Sequence, residues 1–248
     1  MPILTRNPHP IPILVYHQIE TAPPKGRPFR SLYVSPPAFA RQMYLLKLLG
    51  YRGLSMSDLQ PYLAGERRGK VVGITFDDGY VNNLVNALPV LQRHGFSSTC
   101  YAVSGLAGQT NKWDEHLGIA QTPLMDERQM RQWVAGGQEM GSHTRSHLNL
   151  GESADKTSET EIALGKSDLE LMLGGPIRHF CYPYGRYEPK HVGMARQLGF
   201  ATATTTQRSR CVAGDDVLEI PRVPVLRSTS LPMFWIKIAT GYEDRRRR

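Results

Sequence analysis

The 248-residue sequence has no apolar run approaching the ~20 residues needed to span a bilayer. Residues 1–12 hold four prolines and an arginine, and no continuous apolar stretch of the kind a signal peptide carries. A cytoplasmic protein is the expectation from these two absences. Cysteine is scarce. Cys100, Cys181 and Cys211 are odd in number and widely spaced, which argues against a disulfide framework, suits a reducing compartment and leaves them as packing residues. No basic stripe interleaved with aromatics occurs, so a nucleic-acid partner is not expected. There is no internal repeat and no long linker. The chain therefore reads as one domain over 1–248, with a core at about 11–240 and a basic tail at 241–248.

What is present is an average globular composition, 40% hydrophobic and 21% charged. The formal net charge is +8, and Arg245, Arg246, Arg247 and Arg248 supply four of those positives. Such a tail can touch an anionic membrane surface weakly, or fray into solvent.

Strand-like and helix-like runs alternate, the pattern of an α/β fold with parallel strands. Strands are expected over 11–19, 70–77, 97–103, 138–142, 177–182, 201–205 and 219–225. Helices are expected from Ser35 to Gly50, from Ser57, and over 80–94, 126–135, 154–173, 189–198 and 231–239. Phe39, Met43, Leu46 and Leu49 make the apolar face of the first helix. A Pro-rich loop covers 21–37, and a long loop over 105–125 carries Trp113, Asp114 and His116.

Two neighbouring carboxylates end the second strand, in Thr75-Phe76-Asp77-Asp78-Gly79. Burying two like charges together is costly unless a cation or a proton transfer uses them. His143 and His147 follow the fourth strand at i and i+4. One carboxylate and two imidazoles form a three-ligand set for a catalytic zinc; cobalt, nickel, iron or manganese would accept the same donors. The other aspartate is then free to act as a base on the metal's water. Either motif alone could be a turn or a helix cap. However, His17, Asp77, Asp78, His143, Pro183, Tyr184 and Arg222 all fall at or near the C-terminal ends of expected strands, which share one face of a parallel barrel.

The chain resembles the polysaccharide deacetylase family, carbohydrate esterase family 4, with its NodB-homology fold. Thr75 to Gly79 is similar to the family's first motif, His143-Thr144-Arg145-Ser146-His147 to its second, and Tyr182-Pro183-Tyr184-Gly185 to its third. The flanks Leu14-Val15-Tyr16-His17 and Pro221-Arg222-Val223-Pro224 resemble the branch of biofilm poly-N-acetylglucosamine deacetylases. The resemblance implies a single distorted (β/α) barrel of about seven parallel strands. It implies a metal held by Asp78, His143 and His147, Asp77 as general base, and the Tyr184 backbone N–H at the oxyanion.

Two positions depart from the family's pattern. Cys181 stands where the third motif usually begins with the arginine that orients the catalytic aspartate, and Arg222 on another strand could reach the same carboxylate instead. No histidine follows His191 to serve in the late Leu-x-x-His motif, which makes His17 the substitute general acid. His9, His94, His116, His179 and His191 are expected to be structural or exposed. Trp113, Tyr184 and Pro183 are expected to contact a sugar ring, with Tyr187 at the rim; Trp133 and Trp235 fall on helix patterns and are expected in the core.

The expected activity is metal-dependent removal of N-acetyl groups from an amino-sugar saccharide or its lipid-linked precursor. A deformylase or another non-peptide amide hydrolase would need the same residues, and a catalytically silent carbohydrate-binding relative would share the fold.

Overall fold

The run over 70–77 alternates between two environments, and that alternation builds the barrel. In the computed structural model, which describes residues 10–247, the strand Val71–Phe76 is buried along its whole length. Val72, Ile74 and Phe76 join the large apolar cluster beneath the helices. Gly73 faces Ile13 and Leu59 on the other side, and Thr75 and Asp77 continue that inward row.

The strands are β1 (Ile13–Tyr16), β2 (Gln18–Ile19), β3 (Tyr33–Val34), β4 (Arg52–Leu54), β5 (Val71–Phe76), β6 (Thr99–Ala102), β7 (Glu139–Ser142), β8 (His179–Cys181), β9 (Thr202–Arg208) and β10 (Ile220–Pro224). In the order β1-β10-β9-β8-β7-β6-β5 they pair in parallel, and β5 pairs back to β1. This closes a seven-stranded α/β barrel of the expected kind. The sequence patterns did not announce β4, which lies along the first half of β5, nor the small β2–β3 pair. The expected first strand breaks at His17, between β1 and β2.

The helices are α1 (Pro36–Leu48), α2 (Met56–Leu63), α3 (Leu88–His94), α4 (Glu127–Ala135), α5 (Asp155–Leu173), α6 (Pro189–Gln197) and α7 (Leu231–Ala239). α1 starts after Ser35 with two prolines in its first turn, where missing N–H groups cost nothing. α4 begins with a capping box: Asp126 Oδ1 accepts from the Gln129 N–H at 2.7 Å, and Gln129 Oε1 accepts from the Asp126 N–H at 3.0 Å. The helix expected over 80–94 is split. A π-helical turn at Asn83–Ala87 precedes α3, because Pro89 has no N–H to continue the ladder.

Aromatic rings tie the helices to the barrel. Tyr16 meets Phe39 edge-on at 5.2 Å, and Phe76 meets the buried Trp133 edge-on at 5.7 Å. Trp235 departs from expectation, since 46% of its surface is exposed on α7. In mid-helix α5, Gly165 costs about 1 kcal/mol of helix propensity. Its missing Cβ lets the helix approach the Thr144 backbone; a Cβ there would lie 2.7 Å from the Thr144 carbonyl carbon. The loop carrying both candidate histidines is therefore braced by α5.

Residues 241–247 are docked rather than frayed. The buried Glu243 pairs with Arg208 and Lys237, and Asp244 pairs with Arg210. Arg248 and His9 lie outside the described residues. Among the described residues no helix is long and apolar enough to cross a membrane. All three cysteines are buried and free.

Candidate active site

Inward alternation on β5 delivers Asp77 to the barrel mouth, and the same alternation on β10 and β8 delivers Arg222 and Cys181. Arg222 is buried and sits within its strand rather than at the strand's end. Each of its N–H donors is used. Nε donates to the Thr205 carbonyl at 2.9 Å; Nη1 donates to Thr75 Oγ1 at 3.1 Å and Asp77 Oδ1 at 2.7 Å; Nη2 donates to Asp77 Oδ2 at 2.8 Å and faces Cys181 Sγ at 3.2 Å. The guanidinium thus grips the Asp77 carboxylate with both prongs of its fork. Burial alone would raise the Asp77 carboxyl, but the charge and hydrogen bonds of Arg222 outweigh it and hold the group well below the usual carboxylate range. Cys181 contributes packing beside this pair, and burial keeps its thiol protonated.

Asp78 points elsewhere because its backbone is left-handed, φ +76°. Its Oδ1 lies 3.6 Å from His143 Nε2 and 3.5 Å from His147 Nε2. These separations are long for hydrogen bonds, but they match the spacing of ligands around one ion. Donors about 2.1 Å from a tetrahedral centre stand roughly 3.4 Å apart. His143 Nδ1 lies 2.7 Å from the Cys181 carbonyl, which can only accept, so Nδ1 carries the proton and Nε2 offers its lone pair. The three side chains are buried, and burial raises Asp78 to about 7 while it pulls His147 well below its ordinary value. The Tyr80 hydroxyl donates to Asp78.

Asp77, His143 and Cys181 also lie close enough to share an ion. Asp77 is committed to Arg222 there, and the guanidinium charge would repel a cation. Asp78, His143 and His147 fit a divalent metal better.

The two histidines do not share a helix. They sit on a loop in which Thr144 and His147 are both left-handed, φ +63° and +62°. Such backbone costs about 1–3 kcal/mol per residue and persists only where surroundings enforce it. Glu161 of α5 helps, its Oε2 accepting from the Arg145 and Ser146 N–H groups at 3.1 and 2.8 Å. Trp113 stacks on the His147 ring at 4.5 Å, and Tyr184 meets it edge-on at 4.4 Å.

Tyr184 is left-handed as well, φ +58°, in the turn after β8. The turn is held by Gly185 N–H to the Tyr182 carbonyl and Arg186 N–H to the Pro183 carbonyl, neither of which involves the Tyr184 N–H. Pro183 is buried beneath it. His17 Nε2 lies 3.9 Å from Asp77 Oδ2, with a quarter of its side chain exposed. Burial first, then Arg222 and His143, draws His17 down to about 4 against the opposing pull of Asp77.

One cavity is lined by His17, Asp77, Asp78, His143, His147, Trp113 and Tyr184 together. Arg222 reaches it only through its grip on Asp77, and Pro183, expected to contact a sugar, is buried and not among its lining residues. Asp114, Tyr80 and Phe29 also line it, and the sequence reading did not assign them. Asp114 Oδ1 accepts the Tyr184 hydroxyl at 3.0 Å. Its signal was adjacency to Trp113, and that of Tyr80 was its place one residue past Asp77-Asp78-Gly79; Phe29, in the Pro-rich loop, gave none. His116 is exposed at the outer groove, while His179 and His191 are buried in hydrogen-bonded structural positions. Tyr187 stacks on Tyr182 at 4.3 Å.

The chain is similar to known proteins in sequence and in fold. Over 225 residues the chain is 28% identical to the Bacillus subtilis (strain 168) protein named "Putative polysaccharide deacetylase YxkH", covering 90% of this chain and 74% of that one. It is 28% identical over 128 residues to the chitooligosaccharide deacetylase of Azorhizobium caulinodans, spanning 51% of this chain and about half, 53%, of that relative. The structure of the Streptococcus pyogenes deacetylase PplD in complex with acetate superposes with a TM-score of 0.81 at 26% identity, covering 94% of this chain and 99% of that one. Residues 64–203, which run from the end of α2 into β9 and include both carboxylates and both histidines, match the family model described as polysaccharide deacetylase. With its fold and its motifs in agreement, this chain belongs to the polysaccharide deacetylase family.

Proposed function

We propose that the protein hydrolyses the acetamide of an N-acetylated amino-sugar, in a saccharide or its lipid-linked precursor, and that it requires a divalent metal, zinc foremost. The observation that carries this reading is the spacing of Asp78, His143 and His147 beside an Asp77 carboxylate gripped by Arg222 at 2.7 and 2.8 Å. The name of the chitooligosaccharide deacetylase relative supports the choice of an amino-sugar.

Asp78 and the Nε2 atoms of His143 and His147 would hold the ion. Once bound, it supplies Lewis-acid polarisation and an acidified water. Asp77 takes the proton from the attacking water; Arg222 acts as its positioning residue, keeping the carboxylate ionised and aimed. The Tyr184 N–H is assigned to the developing oxyanion, where a fixed donor acts only as charge forms. His17 is assigned as proton donor to the departing amine. It rests neutral near pH 7, so it must gain its proton during turnover, and Asp77 at 3.9 Å is placed to hand it over. Trp113 and Tyr184 offer the sugar an aromatic wall.

Acetate release from N-acetylglucosamine oligomers tests the proposal, with zinc-loaded protein compared against a chelated sample and Asp77→Asn. Release is expected only from the zinc-loaded parent, with the variant slower by about 10²–10⁴-fold. No release at full zinc occupancy would overturn the substrate assignment.

A further inference from the structure

Beyond Tyr184 the mouth of the barrel continues into a second depression that amide hydrolysis does not use. Its lining includes Thr206, Arg208, Arg245, Arg246 and Arg247, and none of its lining residues is acidic. Thr206 lines this depression and the catalytic cavity alike, so the two adjoin. Two of the four arginines are already matched. Arg208 pairs with the buried Glu243 at 2.8 and 3.0 Å, and Arg247 pairs with Asp215 at 2.5 and 3.0 Å. Among the described residues neither Arg245 nor Arg246 has a carboxylate within ion-pair distance; Arg246 lies 6.0 Å over the Tyr242 ring. The segment carrying them is pinned at Glu243 and Asp244, so its charge is held beside the site instead of trailing from it.

We propose that this depression binds a phosphate or phosphodiester carried by the same saccharide whose acetamide is hydrolysed. The identity of the sugar rests on the deacetylase reading; the anion site does not. Two guanidinium groups with no carboxylate partner among the described residues balance a phosphate dianion, their planar forks suit its oxygens, and the Thr206 hydroxyl adds a donor where the depression meets the catalytic cavity.

Calorimetric titration of the zinc-loaded protein with N-acetylglucosamine 1-phosphate and with N-acetylglucosamine tests this. The phosphosugar is expected to bind about tenfold more tightly, with the advantage shrinking as salt rises and vanishing in the R245A/R246A double variant. Both side chains are exposed, so the variant's fold is not at issue. Equal affinity for the two sugars overturns the proposal. So does a preference that survives in the double variant, which would put the phosphate on the metal ligands. Inorganic phosphate binding as tightly as the phosphosugar would make free phosphate the ligand and overturn it too. Arginine-dependent sedimentation with phosphatidylglycerol vesicles, without phosphosugar preference, would assign the arginines to a membrane surface and also overturn it. Acetate release from a neutral oligomer by the unaltered protein tests the deacetylase reading separately, because the titration requires no turnover.

Discussion

Arg222 is committed at every donor, and its partner Asp77 is buried with it. Removing one member of such a pair leaves an uncompensated charge, so Arg222→Ala is expected to lose about 3–5 kcal/mol of stability by urea titration. Arg222→Lys keeps a charge but cannot grip both carboxylate oxygens; its loss is expected in kcat rather than KM, on the order of 10²-fold. Asp78 sets a different dependence. Its folded value is raised to about 7, above the ordinary ~3.9 of an unfolded Asp. Between those limits the folded protein binds the extra proton, so metal-free stability should fall as pH rises from about 4 to about 7. Zinc must displace that proton, so its affinity, read by competition with a chelating dye, should fall about tenfold per pH unit below about 7. Affinity constant from pH 5 to 8 would contradict this assignment. At this scale Asp77 and the reach of Arg222 to its carboxylate were legible from motif and from position near expected strand ends; the alternation that turns both side chains inward is seen in the structure. Asp114 and Phe29 were not legible, because they reach the cavity from loops whose paths no periodicity encodes.

At the scale of elements, α5 and the docked terminal segment position what the barrel alone does not. Gly165→Ala would drive a methyl into the Thr144 backbone and displace the loop of His143 and His147. Weakened zinc binding with largely preserved helicity is expected, read by metal titration beside circular dichroism. The terminal segment depends on carboxylates. Burial would raise Asp215 and Asp244, but their hydrogen bonds to Arg247 and Arg210 outweigh it and hold both low. Groups depressed in the folded state stabilise it above their unfolded value and lose that contribution as pH falls through the folded one. Amide-exchange protection factors over 241–247 should therefore fall below about pH 4, and Asp244→Asn should produce part of that effect at neutral pH. Helices with clear start signals were legible, α1 from the two prolines of its first turn and α4 from its capping box. The segments β3 and β4 were not, since runs of two or three residues carry no period to detect, and β2 was read as the end of the first strand.

At the scale of the whole molecule, the order of strands and helices was legible because a parallel sheet buried on both faces leaves near-continuous apolar runs. Barrel closure was not legible from those runs alone; the resemblance to known deacetylases implied it. A metal bound by the native site and not by the unfolded chain raises the melting temperature, so zinc should stabilise the protein and a chelator reverse the gain. Asp77 and Arg222 stand 145 residues apart in sequence, one just past the strand that enters the ring second and the other on the strand that enters it last. Until β10 docks, an otherwise assembled barrel holds a carboxylate at its mouth with no counter-charge, and water must stay there to solvate it. Chain closure and orientation of the proposed base are thus one event. A refolding protein cannot pass through a nearly complete state that is already competent, and recovery of turnover should report the final step of assembly rather than the first.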